Sequence, residues 1–254
     1  MSQETHKSSI IDQFTRQAVP FSKLLGHAHA LAMMVEMGQV TPDDTVLDVA
    51  CGPGMVACAF AEKAAHVTGI DITPAMIDRA REVQSEKGVQ NVSWHVGDVS
   101  PVPFPDDSFS VVLTRYTFHH FLEPDAVLRE MVRVCKPGGR LLVADAAIPA
   151  EKRKAYDHVE KLKDPSHTRV LTPDELIDMA RAAGLQDIET RWYKVEMEVE
   201  AQLRANFPNP SDDEKIRRIF REDVGRDTLG MGAHLVGDEV HFAYPVIIVA
   251  GQKP

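Results

Sequence analysis

The stretch Thr45-Val-Leu-Asp-Val-Ala-Cys-Gly-Pro-Gly-Met-Val-Ala57 decides how this chain folds. Val46 and Leu47 form a short apolar run that reads as a buried strand. The run ends at Asp48 and enters a Gly52-Pro53-Gly54 turn, after which Met55 to Lys63 favours a helix. Glycine lets the backbone bend sharply and come close to a ligand. The free N–H groups at the start of the next helix favour an anionic ligand group. Strand, glycine loop and helix together describe a nucleotide-type pocket at the edge of a parallel sheet.

Two cofactor classes compete for such a pocket. Gly52-x-Gly54-x-x-Ala57, followed by Asp71, fits the dinucleotide fingerprint, a pattern of low specificity by itself. Asp48 argues against it, because a carboxylate at the mouth of the loop would repel a doubly charged pyrophosphate. The same carboxylate suits a cofactor with a sulfonium, an ammonium and no phosphate. The helix N-terminus then faces the single carboxylate of a methionine moiety.

On VLDVACGPG the chain resembles the class I S-adenosylmethionine-dependent methyltransferases, with Ala50 in place of the usual first glycine. The resemblance is nearest to the ubiquinone/menaquinone C-methyltransferase-like group of small-molecule enzymes. It implies an α/β fold: a Rossmann-like, seven-stranded, mostly parallel sheet in the order 3-2-1-4-5-7-6, last strand antiparallel, with helices on both faces. It also implies an N-terminal helical lid and a helical insert before the last strand.

The hydropathy pattern agrees with strand–helix alternation. Strands are expected at 45–50, 67–71, 92–96, 110–114 and 140–146. Helices are expected at 54–65, 74–87 and 124–134, with Lys136-Pro-Gly-Gly139 as a turn into the fifth strand. Before them, residues 5–40 read as helical, broken at Pro20 and resuming from Phe21 to Met37. After them come helices at 150–163 and 174–183, then two long strands at 188–199 and 240–250. The whole reads as one methyltransferase domain over 1–254. Its parts are a lid (1–40), a cofactor-binding half (41–147) and a substrate-side half (148–254) that holds a charged insert at 200–237 with a solvated face.

Bulk properties narrow the function. With 254 residues, 44% hydrophobic, the chain can bury one sizeable core. A net charge of −10 argues against a general phosphate-binding surface and so against nucleic acid as partner. No apolar run is long enough for a membrane span, and MSQETHKSSI has no apolar signal core, so a cytoplasmic location is expected. Cys51, Cys58 and Cys135 show no metal-ligand spacing, and no metal is expected.

The expected cofactor, S-adenosylmethionine, would be held by Asp48, Ala50, Gly52 and Gly54 of the loop and by Asp71, a pocket-mouth carboxylate able to accept both ribose hydroxyls. Ile72 and Met76 would pack on sugar and base, although Met76 reads almost as well as core. Gly97-Asp98-Val99 followed by PFPDDSF resembles a specific family signature, which implies that Asp98 receives the adenine amino group and the Val99 N–H meets a ring nitrogen. Arg115 would line the methionine half, and Phe14 and Phe21 belong to the lid.

His119 and His120 follow the fourth strand and are the general-base candidates, because imidazole titrates near neutrality. No carboxylate partner is evident nearby, so pocket shaping is the favoured role. Asp145 is the most plausible distant partner. Lys163-Asp-Pro-Ser-His-Thr-Arg169 reads as an ordinary polar loop, with His167 and Arg169 as alternative substrate contacts. The expected reaction is in-line methyl transfer to an oxygen, carbon or nitrogen of a small molecule. The rivals are a non-methylating S-adenosylmethionine-binding protein and, less favoured, a nicotinamide-dependent oxidoreductase.

Overall fold

β1 (Thr45–Val49), β2 (His66–Asp71), β4 (Phe109–Arg115) and β5 (Cys135–Ala146) are apolar along most of their length because helices cover both faces of the sheet they form. Side chains alternate between the two faces. In β5, Leu142, Ala144 and Ala146 enter one core while Leu141 and Val143 enter the other. The first core packs on α2 (Ala28–Met37), α3 (Met55–Ala61), α6 (Arg153–Lys163), α8 (Val199–Asn206) and α9 (Asp213–Asp223). The second packs on α5 (Pro124–Val134) and α7 (Pro173–Ala182). The computed structural model describes residues 3–22, 28–209 and 211–254.

β3 (Val92–Val96), β6 (Gln186–Glu198) and β8 (Glu239–Gln252) complete the main sheet, in the order β3-β2-β1-β4-β5-β8-β6. β8 runs antiparallel to both β5 and β6, and the first five strands are parallel. This is the expected seven-strand order, with β8 as the seventh strand of the path. An eighth strand, β7 (His234–Val236), pairs only with β8. It forms a hairpin through Gly237-Asp238, and Gly237 takes the left-handed conformation such two-residue turns require.

Three local expectations change. Helix α1 (Gln3–Ser22) runs through Pro20, so the expected break at that proline is absent. Lys136 to Gly139 is a bulge inside β5 rather than a turn before it. Phe109 pairs with Cys135, and the next pair is Val111 with Arg140, so the intervening residues loop out of the ladder. The insert is not uniformly solvated: Ile216 and Phe220 on α9 are buried, and Phe220 stacks on Phe242 at 4.5 Å. Most of its charges sit on the outer face, where Arg217 pairs with Glu200 and Glu214, while Asp212 and Asp223 are buried. α4 (Pro74–Lys87) follows β2 and packs against α1, which lies across the carboxyl edge of the sheet.

Candidate functional site

The carboxyl ends of β1, β4 and β5 meet at one edge. Asp48 pairs in register with Leu113, and Arg115 with Ala144, which brings Asp48, Arg115 and Asp145 out at neighbouring levels. Between this edge and α1 lies a cavity of about 330 Å³. Asp48, Ala50, Gly52, Asp71, Ile72, Met76, Asp98, Val99 and Arg115 all line it, so nearly every expected cofactor residue comes to one place. Phe14 lines it from α1, together with His6 and Lys7, which the sequence reading missed. The Phe21 side chain lies outside the described residues.

Gly54 does not face the cavity. It caps α3 at φ 75°, and a Cβ there would stand 2.5 Å from Trp94 of β3. Its role is to let α3 start tight against the sheet. Gly52, at φ 51°, does face the cavity, and a Cβ would meet nothing within 4 Å. Its bare backbone is therefore open to a ligand. Ala50 holds φ 54°, a conformation that costs an L-residue about 1–2 kcal/mol and a glycine almost nothing.

Asp71 is more deeply built in than a pocket-mouth acid. It is only 7% exposed, and its carboxylate accepts the Gly52 N–H at 2.9 Å and the Thr73 N–H at 2.8 Å. It thus clasps the glycine loop to the end of β2. Burial pushes its carboxyl upward, against the pull of those backbone bonds. Met76 is buried as well as cavity-lining, so its two readings combine.

Asp48 is buried, and burial lifts its carboxyl to about 7, although Arg115 pulls it down. Among the described residues its Oδ2 has no hydrogen-bond partner, and neither does the buried Nη1 of Arg115. An orphaned acceptor and an orphaned cationic donor thus stand in one cavity. Asp98 accepts the N–H groups of Val99 (2.7 Å) and Ser100 (3.1 Å) and pairs with Lys7 of α1. The Val99 N–H is therefore already taken, contrary to the expectation that it is open to an adenine nitrogen.

A second cavity of about 120 Å³ adjoins the first, and Phe14, Tyr116 and His120 line both. His119 and Asp145 line the second. Asp145 Oδ1 accepts from His119 Nδ1 at 2.6 Å and from the Ala146 N–H at 2.7 Å, while Oδ2 accepts the His119 N–H at 3.2 Å. Burial pulls the His119 imidazole down, but the charge and hydrogen bond of Asp145, with Glu160 and Asp164 adding to them, make the net shift upward. The partner that local sequence lacks is supplied across the sheet edge.

His120 behaves differently. Burial and the neighbouring His119 hold it down at about 3, so it stays neutral. Its ring meets the Ser166 carbonyl at 3.2 Å and Phe14 edge-on at 5.0 Å, and its carbonyl oxygen lies 2.7 Å from His6 Nε2. These contacts fasten α1 to the wall between the two cavities.

A domain family described as "Methyltransferase domain" matches residues 47–143. An uncharacterized methyltransferase of Bacillus subtilis, YcgJ, is 30% identical over 236 residues, covering 91% of this chain and 93% of its own. This chain belongs to the S-adenosylmethionine-dependent methyltransferases. The solved structure of YcgJ superposes with a TM-score of 0.81 at 27% identity, over 89% of this chain and 99% of that one. The demethylmenaquinone methyltransferase of Tropheryma whipplei is 31% identical over 225 residues, 79% of this chain and 92% of its own. A Haemonchus contortus phosphoethanolamine N-methyltransferase, solved with S-adenosyl-L-methionine, shares the fold (TM-score 0.64, 18% identity, 95% of this chain and 56% of that one).

The methyltransferase's first cavity fits its cofactor on chemical grounds. A zwitterionic methionine end offers an ammonium to the orphaned Asp48 and a carboxylate to the orphaned Arg115. The 163–169 segment is not an ordinary loop: Lys163, Asp164, Ser166 and His167 are all buried. His167 is held by Asp157 at 2.7 Å, and its ring centroid lies 5.6 Å from that of His119. Arg169 is turned away and pairs with Glu175. Sequence reasoning also missed Tyr116, Glu160, Asp164, Gln202 and Tyr244 of the second cavity. The positive φ of Tyr116 (61°) has no local sequence signal. Among the described residues, no helix is long and apolar enough to cross a membrane.

Proposed function

We propose that the methyltransferase transfers a methyl group to a small molecule held in the second cavity. One observation carries this reading: the two cavities share a wall made by Phe14, Tyr116 and His120. An acceptor in the smaller cavity lies next to a donor in the larger. The acceptor side is roofed by α1 and closed from behind by α6 and α8, which suits a small molecule rather than a polymer.

Asp71 takes the ribose hydroxyls on the lone pairs its backbone bonds leave free. Ile72, Met76 and Val99 pack on sugar and base. Asp98 receives the adenine amino group in competition with Lys7. Asp48 takes the methionine ammonium, and Arg115 and the Gly52 loop face its carboxylate. Phe14 covers the donor from the lid.

The donor supplies a methyl group that is already activated. The protein's share is alignment, exclusion of water and removal of one proton where the acceptor carries it. His119 is the base. Asp145 holds Nδ1–H, so Nε2 keeps its lone pair and the imidazolium is stabilised once the proton arrives. His120 shapes the wall and takes no proton. The test is incubation with methyl-labelled S-adenosylmethionine and a cell extract, followed by fractionation. Label in a small molecule is the expected result. Label confined to protein or nucleic acid refutes the reading.

A further inference from the structure

The second cavity has a charge character that the first lacks. Among the described residues no lysine or arginine lines it, whereas three carboxylates do: Asp145, Glu160 and Asp164. Two of these have partners. Asp145 is hydrogen-bonded to His119, which turns cationic when it takes a proton. Glu160 is matched to Lys163 at 2.5 Å. The ammonium of Lys163 is fully buried behind the cavity wall, bonded to the Tyr244 hydroxyl and set against the rings of Phe242 and Tyr244. It is not available to an acceptor.

Asp164 is the third, and it is uncompensated. It is 7% exposed, its Oδ1 accepts only the Ser166 N–H (2.8 Å) and hydroxyl (2.6 Å), and among the described residues it has no ion pair. A buried carboxylate without a cation is costly. An independent observation points the same way. Gln202 is 8% exposed, lines the cavity and spends its amide N–H on Asn206, while its Oε1 has no partner among the described residues. The orphaned polar atom of this cavity is thus an acceptor that asks for a donor. Four aromatic rings, Phe14, Tyr116, Tyr156 and Tyr244, share the wall with aliphatic Val195, Met197 and Val246. Rings and carboxylates together make a site for a small cation. The field already acts on its neighbours. Glu160 and Asp164 add to the upward shift of His119, and burial and Glu160 together push the Tyr156 and Tyr244 phenols well up.

We propose that the acceptor is a small primary or secondary amine, bound as its ammonium by Asp164 and the Gln202 carbonyl among the tyrosine rings, so that the enzyme is an N-methyltransferase. This rests on the second cavity being the acceptor site. The ammonium gives one proton to His119 Nε2, which becomes imidazolium on Asp145. The freed nitrogen lone pair forms the new N–CH3 bond as the carbon–sulfur bond breaks, and that electron pair stays on sulfur as the neutral thioether. The nitrogen is again cationic, now methylated, and the proton on His119 leaves to solvent. Atoms and charge balance with one proton released per turnover.

The experiment uses full-length enzyme saturated with S-adenosylhomocysteine, whose binding is measured first by calorimetry. Failure at that step faults the cofactor cavity and not the acceptor class. The saturated enzyme is then titrated with small primary amines, each paired with the alcohol and carboxylic acid of the same carbon skeleton. Amines are expected to bind at least about tenfold more tightly than their partners, the scale of one buried charge-assisted bond. Asp164→Asn keeps the oxygen that Ser166 uses and is expected to lose roughly 10- to 150-fold in amine affinity. Gln202→Leu removes the second contact without touching the carboxylate and is expected to weaken amines several-fold. Mass spectrometry with labelled donor should find the methyl group on nitrogen. Alcohols or acids binding as well as the amines, no amine binding, or a natively melting D164N with wild-type amine affinity would each overturn the proposal.

Discussion

Replacing Asp145 with asparagine separates base chemistry from pocket shape. The wild-type carboxylate is 1% exposed, and its Oδ1 meets His119 Nδ1 at 2.6 Å. A charge-assisted bond of this kind is worth about 1.5–3 kcal/mol. That bond favours the protonated imidazole and so holds it above its ordinary value. Asparagine removes the charge. It also sets an NH2 group against at least one of the donors that the carboxylate accepts, those of His119 and Ala146. Burial, the largest influence on His119, then acts with only Glu160 and Asp164 to oppose it, since His120 and His167 beside the ring do not hold it up. The imidazole should drop from above its ordinary 6.5 to below it.

Because the base works only when neutral, wild-type activity should rise with pH through the raised value. In the variant the rise should move to lower pH, while the plateau falls by about 10²–10⁴-fold. NMR titration of histidine-labelled enzyme, with His119→Gln for assignment, reads the shift without needing the acceptor. A wild-type His119 that titrates at or below 6.5, or one that Asp145→Asn leaves unmoved, refutes the reasoning.

Asp71→Ala should weaken S-adenosylhomocysteine binding by about 1.5–3 kcal/mol in calorimetry. It should also lower the melting temperature, because the Gly52 and Thr73 N–H groups lose their acceptor; unchanged affinity would return Asp71 to a purely structural role. Gly54→Ala combines a left-handed backbone with a Cβ 2.5 Å from Trp94. It should cost at least about 2 kcal/mol, or roughly 5 °C in melting, and a native-like melt would show that the loop has room. Amide exchange along α1 should slow when S-adenosylhomocysteine binds beneath it. Equal exchange with and without ligand would make α1 fixed packing rather than a lid.

The glycine loop was legible because its chemistry is local. Asp48, Gly52 and Asp71 lie on one strand–loop–helix unit and the strand after it, where spacing alone sets geometry. Strand alternation was legible for the same reason, while the sheet order came from family resemblance rather than from periodicity. The second cavity was not legible. Its walls come from α1, β5, α6, α8 and β8, so Asp164 and Gln202 share no motif and meet only through the fold. Lys163 illustrates the difficulty. In sequence it belongs to a stretch that reads as an ordinary polar loop, yet it is fully buried because Glu160 lies one turn back on the same helix and the Phe242 and Tyr244 rings come from β8. The β5 bulge was misread as a turn because Pro137, Gly138 and Gly139 suit either.

Trp94 gives the cofactor loop its own optical reporter. The chain has two tryptophans. Trp94 lies beneath the loop, so close that a Cβ at Gly54 or Gly69 would collide with its ring, and its Nε1 donates to Gln84 at 2.7 Å. Trp192 stands 48% exposed on β6, the edge strand away from the loop. Ligand-driven settling of the loop must alter the surroundings of Trp94 while leaving those of Trp192 constant. Intrinsic fluorescence, with Trp192→Phe to remove the background, therefore reads cofactor occupancy in real time. It needs no label and no knowledge of what is methylated.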